Sequence, residues 1–283
     1  MINPEKKVFI KQKAKEIRIS IIEMLLKAGS GHTAGALGMS DIFSTLYFYA
    51  MKHDAKKPDW NDRDRLVLSN GHICSVLYAT EAHAGYFDLD RLLTLRQFGS
   101  MLQGHPHREF LKSIETSSGP LGSGLSQAVG MAIALKRDSF KNNSSYPYVY
   151  CIVSDGEQNE GQTWEAILLA PREKLDNLIV FVDRNYIQIG GNTEKVLPLD
   201  PMDKKWEAFN WHVQNIDGNN VSEIVDAIHI AKEHAGIPSV IIAKTIPGKG
   251  VSFMENDYKW HGKAPNKEEA EKALLELKSL RIY

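Results

Sequence analysis

The chain has 283 residues, 43% of them apolar, which is enough for one large domain with a continuous core. Its 34 Lys and Arg residues against 35 Asp and Glu leave a net charge of −1, so neither a nucleic-acid-binding surface nor an acidic solvating tail is indicated. The two cysteines, Cys74 and Cys151, lack CxxC spacing and suit a reducing, cytoplasmic setting, and no apolar run forms a leader or reaches the roughly 18 residues of a membrane span.

In "KQKAKEIRISIIEMLLKAG", Ala14, Ile17, Ile21, Met24, Leu25 and Ala28 recur at three- and four-residue steps, which predicts a helix stopped at Gly29. A second helix is predicted over "SDIFSTLYFYAM", with Ser40 as its N-cap. "DRLVLSNG" reads as a strand. After "GPLGSG", Leu125, Ala128, Val129, Ala132 and Leu135 restore the helical period. The small residues Ala128, Gly130, Ala132 and Ala134 on that stretch suggest a buried, closely packed helix. Further on, the β-branched runs "YVYCIV", "NLIVFV" and "PSVIIAK" alternate with helical stretches in "NEGQTWEAILLAPREK" and "VSEIVDAIHIAKEH". Uninterrupted apolar strands with helices between them imply an α/β fold: a parallel sheet with helices on both faces. A last helix is expected in "NKEEAEKALLELKSLRIY". Residues 184–203 and 246–266 read as long irregular segments, which in compact domains are often functional. No linker or repeat divides the chain, so residues 1–283 are taken as one domain.

The run "YVYCIV" ends in "SDGEQNEG", and "NLIVFVD" ends in "RNYIQIGG". Asp155 and Asn185 thus leave the same edge of the sheet, one crossover apart, where open parallel sheets bind their ligands. A carboxylate oxygen, an amide oxygen and nearby carbonyls are hard ligands. They suit Mg²⁺, which keeps phosphate and water in its shell. Gly156 lets a phosphate come close to its backbone N–H. Asp-Gly is also an ordinary turn pair, and the dipeptide alone leaves a plain turn open. A P-loop is excluded in "IPGKGVS": Ala243 stands where the first glycine belongs, and Gly250 where Ser or Thr is required.

"SDGEQNEG…VDRNYIQIGG" resembles the thiamine diphosphate fingerprint, Gly-Asp-Gly followed one crossover later by Asn, with Ser154 in place of the first glycine. The stretches "SGHTAGALGMSD", "DRLVLSNGHICSVLY", "GHPH", "SSGPLGSGLSQAVGMAIA", "FNWHVQNIDGNN" and "KTIPGKGVSFMEN…WHGKAP" follow in family order. Together they resemble the N-terminal half of the transketolase family over most of the chain. The resemblance implies a thiamine diphosphate-binding fold. In it Asp155, Asn185 and the backbone carbonyl of Ile187 hold Mg²⁺, for which Ca²⁺ or Mn²⁺ can substitute. It further implies cofactor contacts from Gly156 and Asn185 at the diphosphate, Gly119 and Leu121 at the aminopyrimidine and Ile189 at the thiazolium. His72 and His261 are implied beside the cofactor, and His32, His72, His105 and His261 as catalytic groups around its reactive carbon. Thr33, where the family usually has proline, and His107, where an acidic residue is common, depart from the pattern and bear on the substrate channel.

Histidine moves protons near neutral pH, as ketol transfer requires. The other six of the ten histidines read as ordinary. Glu157 reads as a solvated or helix-capping charge. Glu160 is either that or, as the resemblance implies, a cofactor-proximal member of an interface network. The family also carries a pyrimidine-binding domain, whose glutamate activates the cofactor, and a C-terminal domain. Both are expected on a partner chain. The expected function is that of the N-terminal subunit of a split transketolase in an α2β2 assembly, with no nucleic acid or membrane partner. It would move a two-carbon ketol unit from a ketose, expected to be phosphorylated, to an aldose. Two alternatives stay open. One is a subunit of another thiamine diphosphate enzyme, of the deoxyxylulose phosphate synthase or 2-oxoacid dehydrogenase kind. The other is a non-catalytic cofactor-binding subunit.

Overall fold

The computed structural model of the chain describes residues 2–142 and 145–282. Helix α1 (Pro4–Ala28) starts where Asn3 accepts a hydrogen bond from Glu5 N, and proline occupies the first helical position. It stops at Gly29, whose φ of +65° and N–H bond to Leu25 O form a left-handed cap. The periodic residues Ala14, Ile17, Ile21, Met24 and Leu25 are its buried stripe. Two short helices follow, α2 (Ala34–Gly38) and α3 (Ser40–Thr45), then a π-helical turn over Leu46–Ala50.

Ser40 is not an N-cap. The chain arrives from α2 already helical, with Met39 at φ −83° and ψ −3° in the capping position, so no set of free amides needs a side-chain acceptor. The Ser40 hydroxyl instead donates back to Ala36 O at 3.1 Å.

Strand β1 (Arg65–Leu68) leads through α4 (Cys74–His83) and α5 (Ser123–Asn142) to β2 (Val149–Ser154). Helix α6 (Gly161–Arg172) connects β2 to β3 (Leu178–Arg184). The excursion after β3 is less irregular than its sequence suggests. It folds into a two-strand hairpin, β4 (Ile187–Gln188) with β5 (Gly191–Asn192), followed by the short helices α7 (Thr193–Val196) and α8 (Met202–Ala208). Strand β6 (His212–Asp217), helix α9 (Val221–Glu233), strand β7 (Ser239–Lys244) and helix α10 (Lys267–Ser279) complete the chain. The five long strands form one sheet in the order β1-β2-β3-β7-β6, with every neighbour parallel.

Two cores explain the uninterrupted apolar strands. Leu66, Tyr150, Ile152, Ile179, Phe181 and Ile241 face a layer that includes α1, α3, α4, α9 and α10. Their sequence neighbours Val67, Cys151, Val153, Val180, Val182 and Val240 face α5, α6 and α8. Alternate side chains thus enter opposite cores, and neither face of the central strands meets water. Helix α5 differs from its expectation. Leu125, Ala128, Val129 and Ala132 are buried, but Gly130 and Ala134 are exposed, so the helix is amphipathic. No helix among the described residues is long and apolar enough to cross a membrane.

Candidate active site

The register of the parallel sheet sets the site. Ser154 at the end of β2 lies opposite Asp183 near the end of β3, so Asp155 and Asn185 emerge side by side. The N–H of Asp155 donates to Asp183 O at 3.2 Å and continues the ladder by one residue. Beyond these ends is a cavity of about 470 Å³ lined by His32, His72, His105, Gly119, Leu121, Asp155, Gly156, Asn185, Ile187, Ile189 and His261. All the expected site residues but one therefore converge there, drawn from segments spread along nearly the whole chain. The exception is Glu160, which is exposed at the start of α6 and is not part of the lining. It is the N-cap of that helix, and its Cβ lies against Gly122 rather than in the cavity wall.

Asp155 is 1% exposed. Its Oδ1 accepts Gly156 N at 2.7 Å, and its Oδ2 accepts Tyr186 N at 2.8 Å and the Arg184 guanidinium at 3.2 Å. Burial pushes its carboxyl up to about 6, against the pull of the Tyr186 amide and the Arg184 charge. The Asn185 amide is oriented from below. Its Nδ2 donates to the buried Asp183 at 2.8 Å, which leaves Oδ1 as the acceptor on the other side, where Ile187 N meets it at 3.0 Å. Thr245 in turn holds Asp183. Ile189 sits at the tip of the β4–β5 hairpin and is 79% exposed, an apolar residue at the cavity mouth.

Three histidine rings form a triangle. Ring centroids are 4.9 Å apart for His32–His72, 5.2 Å for His72–His261 and 5.6 Å for His32–His261. His105 stands at the rim; a Cβ on Gly71 would lie 3.3 Å from its ring. Burial lowers the basicity of all four, and mutual repulsion adds to it in His32 and His72. His32 falls to about 4. These rings are therefore neutral at pH 7, able to donate from one nitrogen and accept at the other. A histidine whose folded value lies below its unfolded value costs stability as pH falls, because the unfolded chain takes the proton first. For His32 that window runs from its ordinary 6.5 down to about 4. Imidazole titration by NMR should give His32 a midpoint near 4 and the other three cavity histidines midpoints below 6.5. Ordinary midpoints for all four would mean that the triangle does not form in solution.

The donor set fits a hard divalent ion with a diphosphate. Asp155, Asn185 and Ile187 all line the cavity, and a carboxylate, an amide oxygen and a backbone carbonyl are the hard oxygen donors such an ion takes. A Cβ on Gly156 would fall 2.7 Å from Oε1 of the flexible Gln188 side chain, so glycine keeps this backbone close to the cavity without displacing Gln188. His32 Nδ1 is buried with no partner among the described residues, a polar atom left for a ligand. A larger cavity of about 650 Å³ opens beyond β3, β6 and β7, but it contains no histidine. Its carboxylates Asp200, Asp203, Asp217 and Glu223 already accept from Arg184, Lys204 N, Asn219 N and Asp217 N.

Glu157 and Gln188 also line the histidine cavity, and sequence reasoning assigns a site role to neither. Glu157 does stand in the first turn of a 3-10 helix, but it is not solvated. It is 1% exposed, because the 3-10 turn Gly156–Asn159 folds it back under the strand ends. A usable signal is its position three residues after a strand buried along its whole length.

The chain matches the family model described as "Transketolase, thiamine diphosphate binding domain" over residues 10–278. It is 43% identical to a 6-deoxy-6-sulfo-D-fructose transketolase subunit of Clostridium sp. (strain MSTE9), over 96% of this chain and 98% of that one. It is 40% identical to an apulose-4-phosphate transketolase subunit of Actinobacillus succinogenes, over 95% and 96% of the two chains. Among solved structures, transketolase from Leishmania mexicana superposes with a TM-score of 0.91 at 34% identity, covering 95% of this chain and 41% of that one. The chain thus spans about two fifths of the solved transketolase and nearly all of the two subunits. With that family model matching residues 10–278 of 283, the chain belongs to the transketolase family, through its thiamine diphosphate-binding domain.

Proposed function

We propose that the chain is the cofactor-diphosphate-binding subunit of a two-chain transketolase that moves a two-carbon ketol unit from a ketose to an aldose. The convergence of Asp155, Asn185 and the histidine triangle on one cavity carries this reading. Asp155, Asn185 and the carbonyl of Ile187 would hold Mg²⁺, and Gly156 would face the diphosphate. Gly119 and Leu121 would meet the aminopyrimidine, and Ile189 the thiazolium. When bound, thiamine diphosphate supplies the carbon nucleophile that accepts and releases the ketol unit. The protein's part is placement and proton handling. Neutral His32, His72 and His261 present ring nitrogens that hydrogen-bond sugar hydroxyls and take or return a proton during C–C cleavage and re-formation. The hairpin tip brings the exposed apolar side chain of Ile189 to the cavity mouth.

The partner is inferred from the relatives' names. Both relatives described above match this chain in length and are named as subunits, whereas longer transketolases carry more than half their chain beyond this match. The remaining pyrimidine-binding and C-terminal domains are assigned to a second chain, in an α2β2 assembly. The relatives' names give ketoses bearing a sulfo or a phosphate group. A donor ketose with an anionic tail is therefore the class to assay first.

The test is purification of the tagged chain from its native cells with thiamine diphosphate and Mg²⁺, and identification of what accompanies it by mass spectrometry. A second chain in equal amount is expected. This chain alone should show no ketol transfer, and the pair should. Full activity from the isolated chain would end the two-chain reading.

A further inference from the structure

Three backbone segments meet at Glu157, and none is joined to another nearby in sequence. The Glu157 Oε1 accepts the N–H of Gly122 at 2.6 Å and the hydroxyl of Ser69, and its Oε2 accepts Ser154 N at 3.0 Å. Ser69 follows β1, Ser154 ends β2, and Gly122 lies in the turn that opens α5. The Ser69 hydroxyl passes the connection on, accepting Gly124 N at 3.1 Å. Close packing backs these bonds. A Cβ on Gly124 would fall 2.5 Å from Ser69 Cβ, and one on Gly122 would fall within 2.9 Å of Glu160, Gln162 and Thr163 side-chain atoms. Gln162 also donates to Leu121 O at 2.8 Å. The turn carrying Gly119 and Leu121 is thus fixed between the end of β1 and the start of α6, with one carboxylate at the junction.

We propose that Glu157 is a positioning residue: an acceptor-only anchor that sets the Gly119–Gly122 turn at the height required for cofactor binding. This rests on the thiamine diphosphate reading of the cavity. The chemistry demands a carboxylate. All three protein groups facing it are donors, and two of them are backbone amides that cannot reverse their polarity. A glutamine has the same shape, but its NH2 must point at one of these donors, which leaves a buried N–H unmatched. An aspartate is one methylene short of spanning the three.

The experiment compares wild type, Glu157→Gln and Ser69→Ala, each as the complex purified with its partner. Thiamine diphosphate affinity is read by calorimetry at saturating Mg²⁺, well below melting, and amide exchange is read at Gly122, Gly124 and Ser154. Glu157→Gln is expected to weaken cofactor binding about tenfold or more and to speed exchange at Gly122 and Ser154. With cofactor saturating, the sugar KM should not change, a split that simple loss of stability would not produce. Ser69→Ala keeps the carboxylate. It should show a smaller loss of affinity with faster exchange at Gly124, and it carries the test if Glu157→Gln does not fold. Wild-type affinity and exchange in the variants would overturn the proposal. If wild type itself binds no thiamine diphosphate, the functional reading fails instead, while exchange at Gly122 still reports whether Glu157 holds the turn.

Discussion

Asp155→Asn is expected to weaken Mg²⁺-dependent thiamine diphosphate binding by about a hundredfold or more while leaving the sheet intact. The substitution is nearly isosteric, so the core beneath β2 is not disturbed. It removes the carboxylate charge from the proposed ion site. It also disturbs the local bonds, because Asp155 accepts from Gly156 N, Tyr186 N and Arg184 across its two oxygens. An asparagine offers one acceptor oxygen, so its NH2 must turn toward a donor. Arg184 keeps Glu194 and Asp200 as partners, so the change does not leave a buried cation alone. Calorimetry with and without Mg²⁺ separates the effects. A variant that keeps wild-type affinity, or loses it equally with and without the ion, would remove Asp155 from the metal site.

Much of this site is legible in the sequence because its parts stand at strand ends. "YVYCIV" and "NLIVFV" announce strands buried on both faces, and the residues that follow such strands in a parallel sheet share an edge. Strand order and period alone therefore bring Asp155 and Asn185 together. The histidines need the family pattern, since nothing local to His32, His105 or His261 says that loops so far apart in sequence meet around one cavity. Strand β6 carries no periodic signal, because it is an edge strand with polar His212, Gln214, Asn215 and Asp217 only partly covered. The hairpin after Asn185 reads as irregular for a similar reason: two-residue strands leave no pattern. Glu157 reads as solvated because a charged residue beside a helix start usually is. Its burial depends on Ser69, 88 residues earlier, and on Gly122.

Arg184→Met should cost about 3 kcal/mol of stability and lower the Tm by roughly 5–10 °C, with a smaller penalty when Mg²⁺ is present. The Arg184 side chain is 3% exposed and joins three carboxylates. It reaches Asp155 at 3.2 Å, Glu194 at 2.7 Å and Asp200 at 2.9 Å, donates to Thr193 at 3.1 Å, and lies 3.9 Å from the centre of the Tyr186 ring. Methionine replaces the stem but not the fork. The side chains of Glu194 and Asp200 are 26% and 56% exposed, so water recovers most of their lost interaction. Asp155 cannot be hydrated in the same way, and the penalty concentrates there. The sign of the Mg²⁺ effect follows. In the variant the ion supplies the missing positive charge beside Asp155, whereas in wild type it must share the carboxylate with a guanidinium. Mg²⁺ should therefore raise the Tm of Arg184→Met by more than it raises that of wild type. Arg184→Lys keeps one charge without the fork and should fall between the two. Thermal melts of the three proteins with and without Mg²⁺ check this. Equal Mg²⁺ shifts in wild type and variant would show that the ion does not bind against Asp155, whatever the loss of stability.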